Sequence, residues 1–472
     1  MKRILKCLLW ALAAYLLYVV VTGVLPFARQ PRVAEEDRYA AGDFYGSAPC
    51  CDRVALVEEP RTGLAARLFL VSQARETLDV SYYALQMDST TDLFLGALLD
   101  AADRGVRVRL LVDGFAGGLT RLHPVCARAI GAHPNITLRL YNPPDPLRPW
   151  TFNGRLHDKY ILIDDKLVLL GGRNIGDRYF GPEGYGADLS IDRDVLVYNT
   201  AYPSGGRESV LFDVRDYMDG IWAGENVTQP FDRDSGGSAA LREQLSADFR
   251  ALRAQHPSLF DTQVDFAART FAANKVTFVH NGADIGPKAP AVAQALKEAL
   301  GAARESCVLQ SPYVVPGEDL CALLAQLAAG PADCRVLTNS LASTPNLPAF
   351  SAYVQGRQSL LDTGAAFFEY QSADAIHAKT YIVDGRLSAV GSFNLDPRST
   401  YLDTELLLFI DSEDFAADLL AVQQRYFDRS LQVGPGGEYL PRDGVEAVPV
   451  STFKRLLVDA VGFLGRPLRF LV

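Results

Sequence analysis

Two strings of this chain repeat the same residue types at the same spacing, and those types suit the transfer of a phosphoryl group. Both follow the rule His-x-Lys-x4-Asp-x6-Gly-small-x-Asn, and the second lies 220 residues after the first. Their members are His157, Lys159, Asp164, Gly172 and Asn174, then His377, Lys379, Asp384, Ser392 and Asn394. A single histidine on a strand is most often a buried core residue. A joint repeat of four residue types is not explained that way, so we interpret the strings as two halves of one reaction site.

The spacing places the reactive groups of each string together. In a strand over His157–Ile163, residues two apart point to the same face, so that His157 and Lys159 share one face. A turn at Asp164 and a returning strand then bring Asn174 beside the histidine. Lysine and asparagine can contact the non-bridging oxygens of a phosphoryl group, while a histidine attacks or protonates it.

Two such sets facing one another predict a mechanism with a covalent intermediate. One histidine would be the nucleophile and the other the general acid on the leaving oxygen, so that the first step forms a phosphohistidine. Imidazole can act in either protonation state near neutral pH. Because the lysines supply the positive charge, we predict neither a metal ion nor a cofactor.

The remaining members of the strings are predicted to support the site. Asp164 and Asp384 stand at turns, more than four residues from the histidines, which favours a structural role. Gly172 and Ser392 are small residues delivered beside the histidines by the returning strands, where a close approach is needed.

Acidic residues after each string could hold a histidine tautomer. Asp192-Arg-Asp194 and Thr404-Glu405 each precede an apolar strand, and we predict Asp194 and Glu405 as the supporting carboxylates. The alternative for each is a surface ion pair. Three charged residues that flank the strings could contact head groups or form surface pairs: Arg173, Asp177 and Arg398.

Helices and strands alternate around both strings. The first series comprises helices over Thr62–Glu76 and Thr91–Asp103 and strands over Leu78–Ala84 and Val106–Val112. The second comprises helices over Pro290–Ala303 and Gly317–Ala329 and strands over Ser306–Ser311 and Cys334–Thr338. This alternation indicates an α/β fold with a largely parallel sheet, built twice. Between the lobes, residues 234–238 have a linker composition, and a polar helix over Ala239–Gln255 follows.

Composition sets limits on the function. The 472 residues carry 46 basic and 56 acidic side chains, a net charge of −10, which disfavours a general nucleic-acid binder. Seven cysteines are too few for a disulfide-built scaffold. The six beyond the N-terminal segment could form up to three disulfides or be small buried apolar residues.

Both ends of the chain carry apolar segments. Cys7–Phe27 is uncharged, mostly apolar and about 31 Å long as a helix, which predicts a membrane anchor, with a cleaved signal peptide as the alternative. The basic residues before it weakly favour a cytoplasmic N-terminus and extracytoplasmic lobes. Near the C-terminus, Phe453 to Leu464 has the apolar spacing of an amphipathic helix. That helix could dock on the lobes or lie in the lipid interface.

The paired strings resemble the two HKD motifs of the phospholipase D superfamily, over roughly Arg61 to Asp428. Residues 171–180 (GGRNIGDRYF), 338–343 (TNSLAS) and 391–399 (GSFNLDPRS) are similar to bacterial cardiolipin synthases, especially the C type. The resemblance implies a two-lobed α/β/α fold with one active site between the lobes. It also implies the site residues His157, Lys159, Asn174, His377, Lys379 and Asn394.

The resemblance further implies the reaction. Such enzymes transfer a phosphatidyl group between phospholipids, so we expect a membrane enzyme that uses phosphatidylglycerol, and possibly phosphatidylethanolamine, to make cardiolipin. The alternatives are hydrolysis of phospholipid or of single-stranded nucleic acid by the same histidines, and a non-catalytic membrane scaffold. Two lobes already supply a full site, so no oligomer is required. We predict an anchor (1–30), a stalk (31–60), a first lobe (61–232), a linker and helix (233–272), a second lobe (273–435) and a tail (436–472).

Overall fold

The computed structural model describes residues 1–261 and 263–472. Its α-helices are α1 Lys2–Val19, α2 Pro60–Gln73, α3 Ser89–Asp103, α4 Pro124–Gly131, α5 Asp177–Phe180, α6 Val210–Trp222, α7 Ser238–Gln255, α8 Pro257–Phe260, α9 Ala291–Gly301, α10 Glu318–Ala329, α11 Leu347–Leu361, α12 Pro397–Tyr401, α13 Glu413–Phe427 and α14 Thr452–Gly465. The predicted helices and strands of both series are therefore present, with ends that differ by a few residues.

The strands are β1 Asp52–Val57, β2 Thr77–Tyr82, β3 Arg107–Asp113, β4 Ile136–Tyr141, β5 Lys159–Ile163, β6 Leu167–Gly171, β7 Ser190–Ile191, β8 Asp194–Asn199, β9 Val227–Thr228, β10 Phe271–Ala272, β11 Lys275–His280, β12 Ser306–Gln310, β13 Asp333–Asn339, β14 Ala366–Tyr370, β15 Ala375–Ile376, β16 Lys379–Val383, β17 Leu387–Gly391, β18 Leu406–Asp411 and β19 Ser430–Gln432. They form a nine-stranded sheet in the order β10-β1-β8-β6-β5-β2-β3-β4-β9 and an eight-stranded sheet in the order β11-β18-β17-β16-β12-β13-β14-β19. β7 and β15 form a small third sheet.

The prediction of two α/β lobes with mixed sheets is confirmed, but the expectation that these mixed sheets are largely parallel is wrong. In the first sheet only β2–β3 and β3–β4 are parallel neighbours, and in the second only β12–β13 and β13–β14. The other neighbours are antiparallel because each HKD string forms a tight hairpin, β5–β6 or β16–β17, and the next strand returns beside it. The three-residue turns 164–166 and 384–386 can join only antiparallel strands.

The two sheets share one buried core. Helices such as α2, α3 and α7 cover the outer face of the first sheet, and α9, α10 and α11 cover that of the second. Between the sheets lies a third cluster, in which Leu162 and Val168 of the first sheet join Ile382 and Val390 of the second. The lobes are thus packed against each other through apolar side chains, which fixes the position of one half of the site relative to the other.

The segment predicted as a stalk (31–60) packs on both lobes, so that prediction is wrong for much of its length. Residues 52–57 form β1, which pairs with β8 in the first sheet and buries Asp52, Val54 and Val57. Phe44 is fully buried and stacks on Phe409 of the second lobe, with ring centroids 4.2 Å apart.

The N-terminal helix is long and apolar enough to cross a membrane. It runs over Lys2–Ala28, counting the turns that follow α1, and none of its most apolar stretch is buried in the protein. All seven cysteines lie in the described part of the chain, and each is a free thiol there. Cys307 and Cys334 are buried neighbours on β12 and β13.

Candidate active site

Each histidine lies two residues before the strand that carries its lysine, at the end of the central strands. Lys159 begins β5 opposite Tyr82, the last residue of β2. Lys379 begins β16 in the same way, beside the end of β12. The predicted strand over His157–Ile163 is therefore shorter than expected, because the histidine backbone bonds to the other lobe instead of continuing the hairpin.

Cross-lobe backbone contacts hold both histidines. The amide of His377 donates to the carbonyl of Ile191 at 2.6 Å, just after the β7–β15 pair joins the lobes. On the other side, the amide of His157 donates to Thr404 Oγ1 at 2.8 Å, and the amide of Thr404 donates to the carbonyl of Arg155 at 2.9 Å. Each histidine is consequently placed by the lobe to which it does not belong.

The imidazoles are paired with carboxylates across the same boundary. His157 Nδ1 is hydrogen-bonded to Glu405 Oε1 at 2.9 Å, and His377 Nδ1 to Asp192 Oδ2 at 2.5 Å. A carboxylate on Nδ1 selects one tautomer and leaves Nε2 for the reacting atom. Glu405, which was predicted as a supporting carboxylate, makes such a contact with His157, and its role in the reaction stays a prediction. Asp194 binds two arginines instead of a histidine.

The prediction for Asp194 is wrong because this residue belongs to a buried ion pair. Its oxygens lie 2.8 Å from Arg67 Nη2 and 3.2 Å from Arg173 Nε, and all three side chains are almost wholly buried. Asp192, two residues earlier, leaves the first sheet and reaches His377. The segment Asp192-Arg-Asp194 was expected to supply a carboxylate that bonds a histidine. It does so through Asp192 and not, as predicted, through Asp194.

The two pairs differ in electrostatics. Burial raises the pKa of Glu405 to about 8, in spite of the opposing charge of Lys159. Burial acts in the same sense on Asp192, but Lys379 and His377 outweigh it and hold the pKa of Asp192 well below its ordinary value. Burial, and after it Lys379, lowers the pKa of His377 to about 3. At neutral pH the first pair therefore retains one proton more than the second.

The lysines contact the histidines of their own strings. Lys159 Nζ donates to the carbonyl of His157 at 2.6 Å, and Lys379 Nζ lies 2.9 Å from His377 Nδ1. Burial lowers the pKa of Lys159 to about 7 and also lowers that of Lys379. Two buried ammonium groups at one site favour an anionic ligand such as a phosphodiester.

The low pKa of Lys159 predicts a pH dependence. Lysine is cationic only below its pKa, so the free enzyme loses this charge as pH rises through about 7. We expect kcat/KM, which reports the free enzyme, to fall by about 10- to 100-fold between pH 7 and pH 9. In Lys159→Arg, whose guanidinium stays charged, kcat/KM should be lower overall, and it should not decline until the carboxyl of Glu405 loses its proton near pH 8. A wild-type profile that is flat to pH 9 would contradict the expectation.

The asparagines lie on the short segments that follow β6 and β17. Asn174 accepts from the amide of Ala84 at 3.3 Å and donates to the hydroxyl of Tyr179 at 3.1 Å. Asn394 donates to Ser399 Oγ at 3.2 Å. That both asparagines lie beside the histidines and contact the substrate stays a prediction.

Gly172 and Ser392 occupy matching positions against the two carboxylates. A Cβ on Gly172 would lie 2.4 Å from Asp192 Oδ1, so that only glycine leaves room for the carboxylate that reaches His377. Ser392 Oγ instead donates to Glu405 Oε2 at 2.5 Å. Through these contacts the returning strand of each lobe touches the carboxylate that orients the histidine of the other.

Asp164 and Asp384 lie at the far ends of their strands and bind backbone. Asp164 accepts from the amides of residues 75, 76 and 77 at 2.7–2.9 Å, and Asp384 accepts from those of residues 304, 305 and 306 at 2.7–3.0 Å. These contacts fit the structural role predicted for both. Each closes the turn between an outer helix and a central strand.

We expect Asp164→Asn to lower the free energy of unfolding by about 1.5–3 kcal/mol, the worth of a hydrogen bond to a charged acceptor. Asp164 and its neighbour Asp165 both have positive φ, 50° and 51°, a backbone that Asn also tolerates. Asp165→Asn is therefore a matched control, and because Asp165 makes only a partly exposed ion pair with Arg215, it should change stability by less than about 1 kcal/mol. Equal denaturation midpoints for the two variants would refute this role.

The flanking charged residues make internal contacts. Arg173 is bound by Asp194, as described above. Asp177 accepts from the amide of Thr90 at 2.8 Å at the start of α3, and Arg398 lies 3.1 Å from Asp403 while its Nε donates to the carbonyl of Leu471 at 3.0 Å. These contacts tie Arg173, Asp177 and Arg398 to other parts of the fold and are not isolated ion pairs on the surface.

Three tyrosines near the histidines were not predicted. Tyr83 lies edge-on to His157, with centroids 5.1 Å apart, and Tyr179 and Tyr313 flank His377 at 5.8 and 6.2 Å. The only signal in the sequence is that Tyr83 and Tyr313 follow matching strands of the two series. Beside His377 a cleft of about 460 Å³ opens, lined by Arg178, Tyr179, Tyr313, Pro345, Asn346, Leu347, Pro348 and His377.

The fold and the site together are those of the phospholipase D superfamily. Comparison with known proteins shows which family within this superfamily the chain resembles. A family model described as "Cardiolipin synthase, PLD-like domain" matches residues 69–199 and 296–429. Cardiolipin synthase C of Escherichia coli is 32% identical over 413 residues, 78% of this chain and 84% of that protein. Cardiolipin synthase A of Erwinia tasmaniensis is 26% identical over 366 residues, 77% of this chain and 66% of that protein.

A solved structure supports the fold. Phosphatidylserine synthase of Haemophilus influenzae superposes with a TM-score of 0.62 over 89% of this chain and 95% of its own, at 14% identity. The chain belongs to the family of PLD-like cardiolipin synthases. It is accordingly an enzyme, a phospholipid phosphatidyltransferase of the phospholipase D superfamily.

Proposed function

We propose that this enzyme makes cardiolipin by transferring a phosphatidyl group from one phospholipid to the head-group alcohol of another. The observation that carries the proposal is the pair of crossed contacts, His157 with Glu405 and His377 with Asp192, at one site with two buried lysines. The similarity to cardiolipin synthase C supports the choice of substrate and product. Phosphatidylglycerol is the proposed donor, with phosphatidylglycerol or phosphatidylethanolamine as its partner.

In the first step, Nε2 of one histidine forms a bond to phosphorus while the bond from phosphorus to the head-group oxygen breaks. The other histidine gives its proton to that oxygen, which leaves as an alcohol. Lys159, Lys379, Asn174 and Asn394 are proposed to hold the non-bridging oxygens, whose charge is stabilised as the geometry at phosphorus changes. The product of this step is a phosphatidyl-histidine.

In the second step the hydroxyl of the acceptor lipid attacks the phosphatidyl-histidine. The histidine that gave a proton now takes one from this hydroxyl, the phosphorus–nitrogen bond breaks, and both imidazoles return to their initial states. Water in place of the lipid alcohol would give phosphatidic acid. The outcome therefore depends on how far the cleft excludes water while the intermediate exists.

The test places the purified full-length protein in phosphatidylglycerol vesicles, with and without phosphatidylethanolamine, and identifies the lipids by mass spectrometry. Cardiolipin that appears with the wild type and not with His377→Ala is the expected result, and the second lipid mixture shows which acceptor is used. Phosphatidic acid alone would replace the proposal with a phospholipase. Unchanged lipids would refute it, and single-stranded DNA would be the next substrate to try.

We also propose the cell membrane as the location, with residues 1–30 as an uncleaved anchor and the lobes on the extracytoplasmic side, from the basic residues before the apolar segment. No oligomer and no nucleic acid are needed for the reaction. The boundaries of the first lobe (61–232), the linker and helix (233–272), the second lobe (273–435) and the tail (436–472) stay predictions.

A further inference from the structure

The N-terminal helix is docked on the first lobe along its last turns. Tyr15 and Tyr18 donate to the carbonyls of Pro146 and Leu147 at 3.0 and 2.8 Å, and Asn153 Nδ2 donates to the carbonyl of Gly23 at 2.7 Å. The tip of the loop between β4 and β5, at Pro146 and Leu147, thereby lies beside residues of the membrane-spanning segment. The Leu147 side chain at this tip is 78% exposed.

A second apolar surface belongs to the tail. Helix α14 packs Val458 and Gly462 on α11, and the carbonyl of Val458 accepts from Ser351 Oγ at 2.9 Å. Its opposite side exposes four large apolar side chains, Phe453, Leu456, Phe463 and Leu464, of which Phe463 is 77% and Leu464 73% exposed. The tail therefore docks on the second lobe, as one alternative predicted, and still has an apolar face without a partner.

The two apolar surfaces are continuous with the anchor. The turn after α14, Arg466–Leu471, contacts the turn Leu25–Ala28 in which the N-terminal helix ends. Residues 452–472 contain four basic side chains and one acidic, in a chain whose net charge is −10. A basic, apolar helix beside a membrane anchor is complementary to an anionic lipid surface.

We propose that the exposed face of α14 and the loop tip at Leu147 insert into the bilayer that holds the anchor, so that the protein is held at three points. The cleft would then open at the lipid surface, because Leu347 and Pro348, the first residues of α11, line it, and α11 carries α14. Phospholipids would enter from the side, without leaving the bilayer. The choice of lipid as substrate rests on the proposed function, whereas the docking does not.

The first test compares turnover of two forms of phosphatidylglycerol. For Phe463→Glu/Leu464→Glu we expect turnover of long-chain lipid in vesicles to fall at least about tenfold, because two apolar side chains proposed to insert into the bilayer become charged. Turnover of a monomeric phosphatidylglycerol with four-carbon acyl chains should stay at the wild-type value. Leu440→Glu is the matched control, because Leu440 is also exposed but lies on the edge of the second sheet, and it should keep both rates. Equal losses on both substrates, or no loss on vesicles, would overturn the proposal.

The second test is independent of catalysis. Phe463→Trp adds one indole to the three tryptophans of the chain, and its fluorescence is obtained by subtracting that of the wild type. In vesicles whose lipids carry a nitroxide on the acyl chain, this added fluorescence should be quenched. An unquenched indole would show that water, a second copy or another protein faces α14, and would refute the docking even if the lipid chemistry were confirmed. Quenching in a protein that turns over no lipid would refute only the proposed function.

Discussion

Alanine at either His157 or His377 is expected to lower phosphatidyl transfer by about 10⁴-fold or more, with the fold retained. A positioned general acid contributes about 10²–10⁴-fold, and loss of the nucleophile removes the covalent route altogether. Neither histidine can replace the other, because each is fixed by its own carboxylate in the opposite lobe. The measurement is the initial rate of product formation in vesicles, with circular dichroism and the denaturation midpoint as controls for folding.

An activated substrate separates the two roles. A phosphatidyl ester of p-nitrophenol releases a leaving group that needs no proton, so the variant lacking the general acid should recover a burst of p-nitrophenol, while the variant lacking the nucleophile should not. Substantial turnover of natural lipid by both single variants would contradict the two-histidine mechanism. A burst from both variants would do the same.

The second large effect is expected at Asp192. Its pKa is held low by Lys379 and His377, so it is a charged acceptor that selects the tautomer of His377. In Asp192→Asn the amide can favour the wrong tautomer, and we expect kcat to fall by about 10²–10⁴-fold with little change in KM, as when the carboxylate of a catalytic triad is neutralised. The measurement is steady-state kinetics at several pH values.

Glu405→Gln is the matched comparison, because it replaces the carboxyl group of the corresponding pair by the same amide group. The pKa of Glu405 is about 8, so this carboxyl is largely protonated at pH 7 and Gln is close to its neutral form. We expect a loss smaller than about tenfold at pH 7, two orders of magnitude or so less than at Asp192. Equal losses at the two positions would show that the pairs are electrostatically alike.

The repeat made most of the site predictable. His157, Lys159 and Asn174 recur with their counterparts at fixed spacing, and spacing of two along a strand carries direct information on which side chains meet. The choice between Asp192 and Asp194 carries no such information. Asp192 precedes β8 and Asp194 begins it, and what separates their roles is a contact with the other lobe, which only the packing of the two sheets determines.

The fold shows the same division between local and non-local information. Alternating helices and strands could be predicted because apolar periodicity is local, as in β3 and α3. Whether a strand runs parallel or antiparallel to its neighbours depends on the connections between them. Because of the hairpins at Asp164 and Asp384, most neighbouring strands are antiparallel, where a parallel majority was expected. The burial of Phe44 could not be predicted for a related reason, since its partner Phe409 lies far along the chain.

Two similar halves of a chain could in principle change independently of each other. The crossed pairs described above prevent this, because each histidine depends on a carboxyl group in the other half. A substitution of Asp192, between β7 and β8, changes the surroundings of His377, which lies 185 residues away in the other half. Each half expressed alone would have a histidine without its carboxylate, so chimaeras that exchange one half between relatives should work only where the surface between the lobes is exchanged with it.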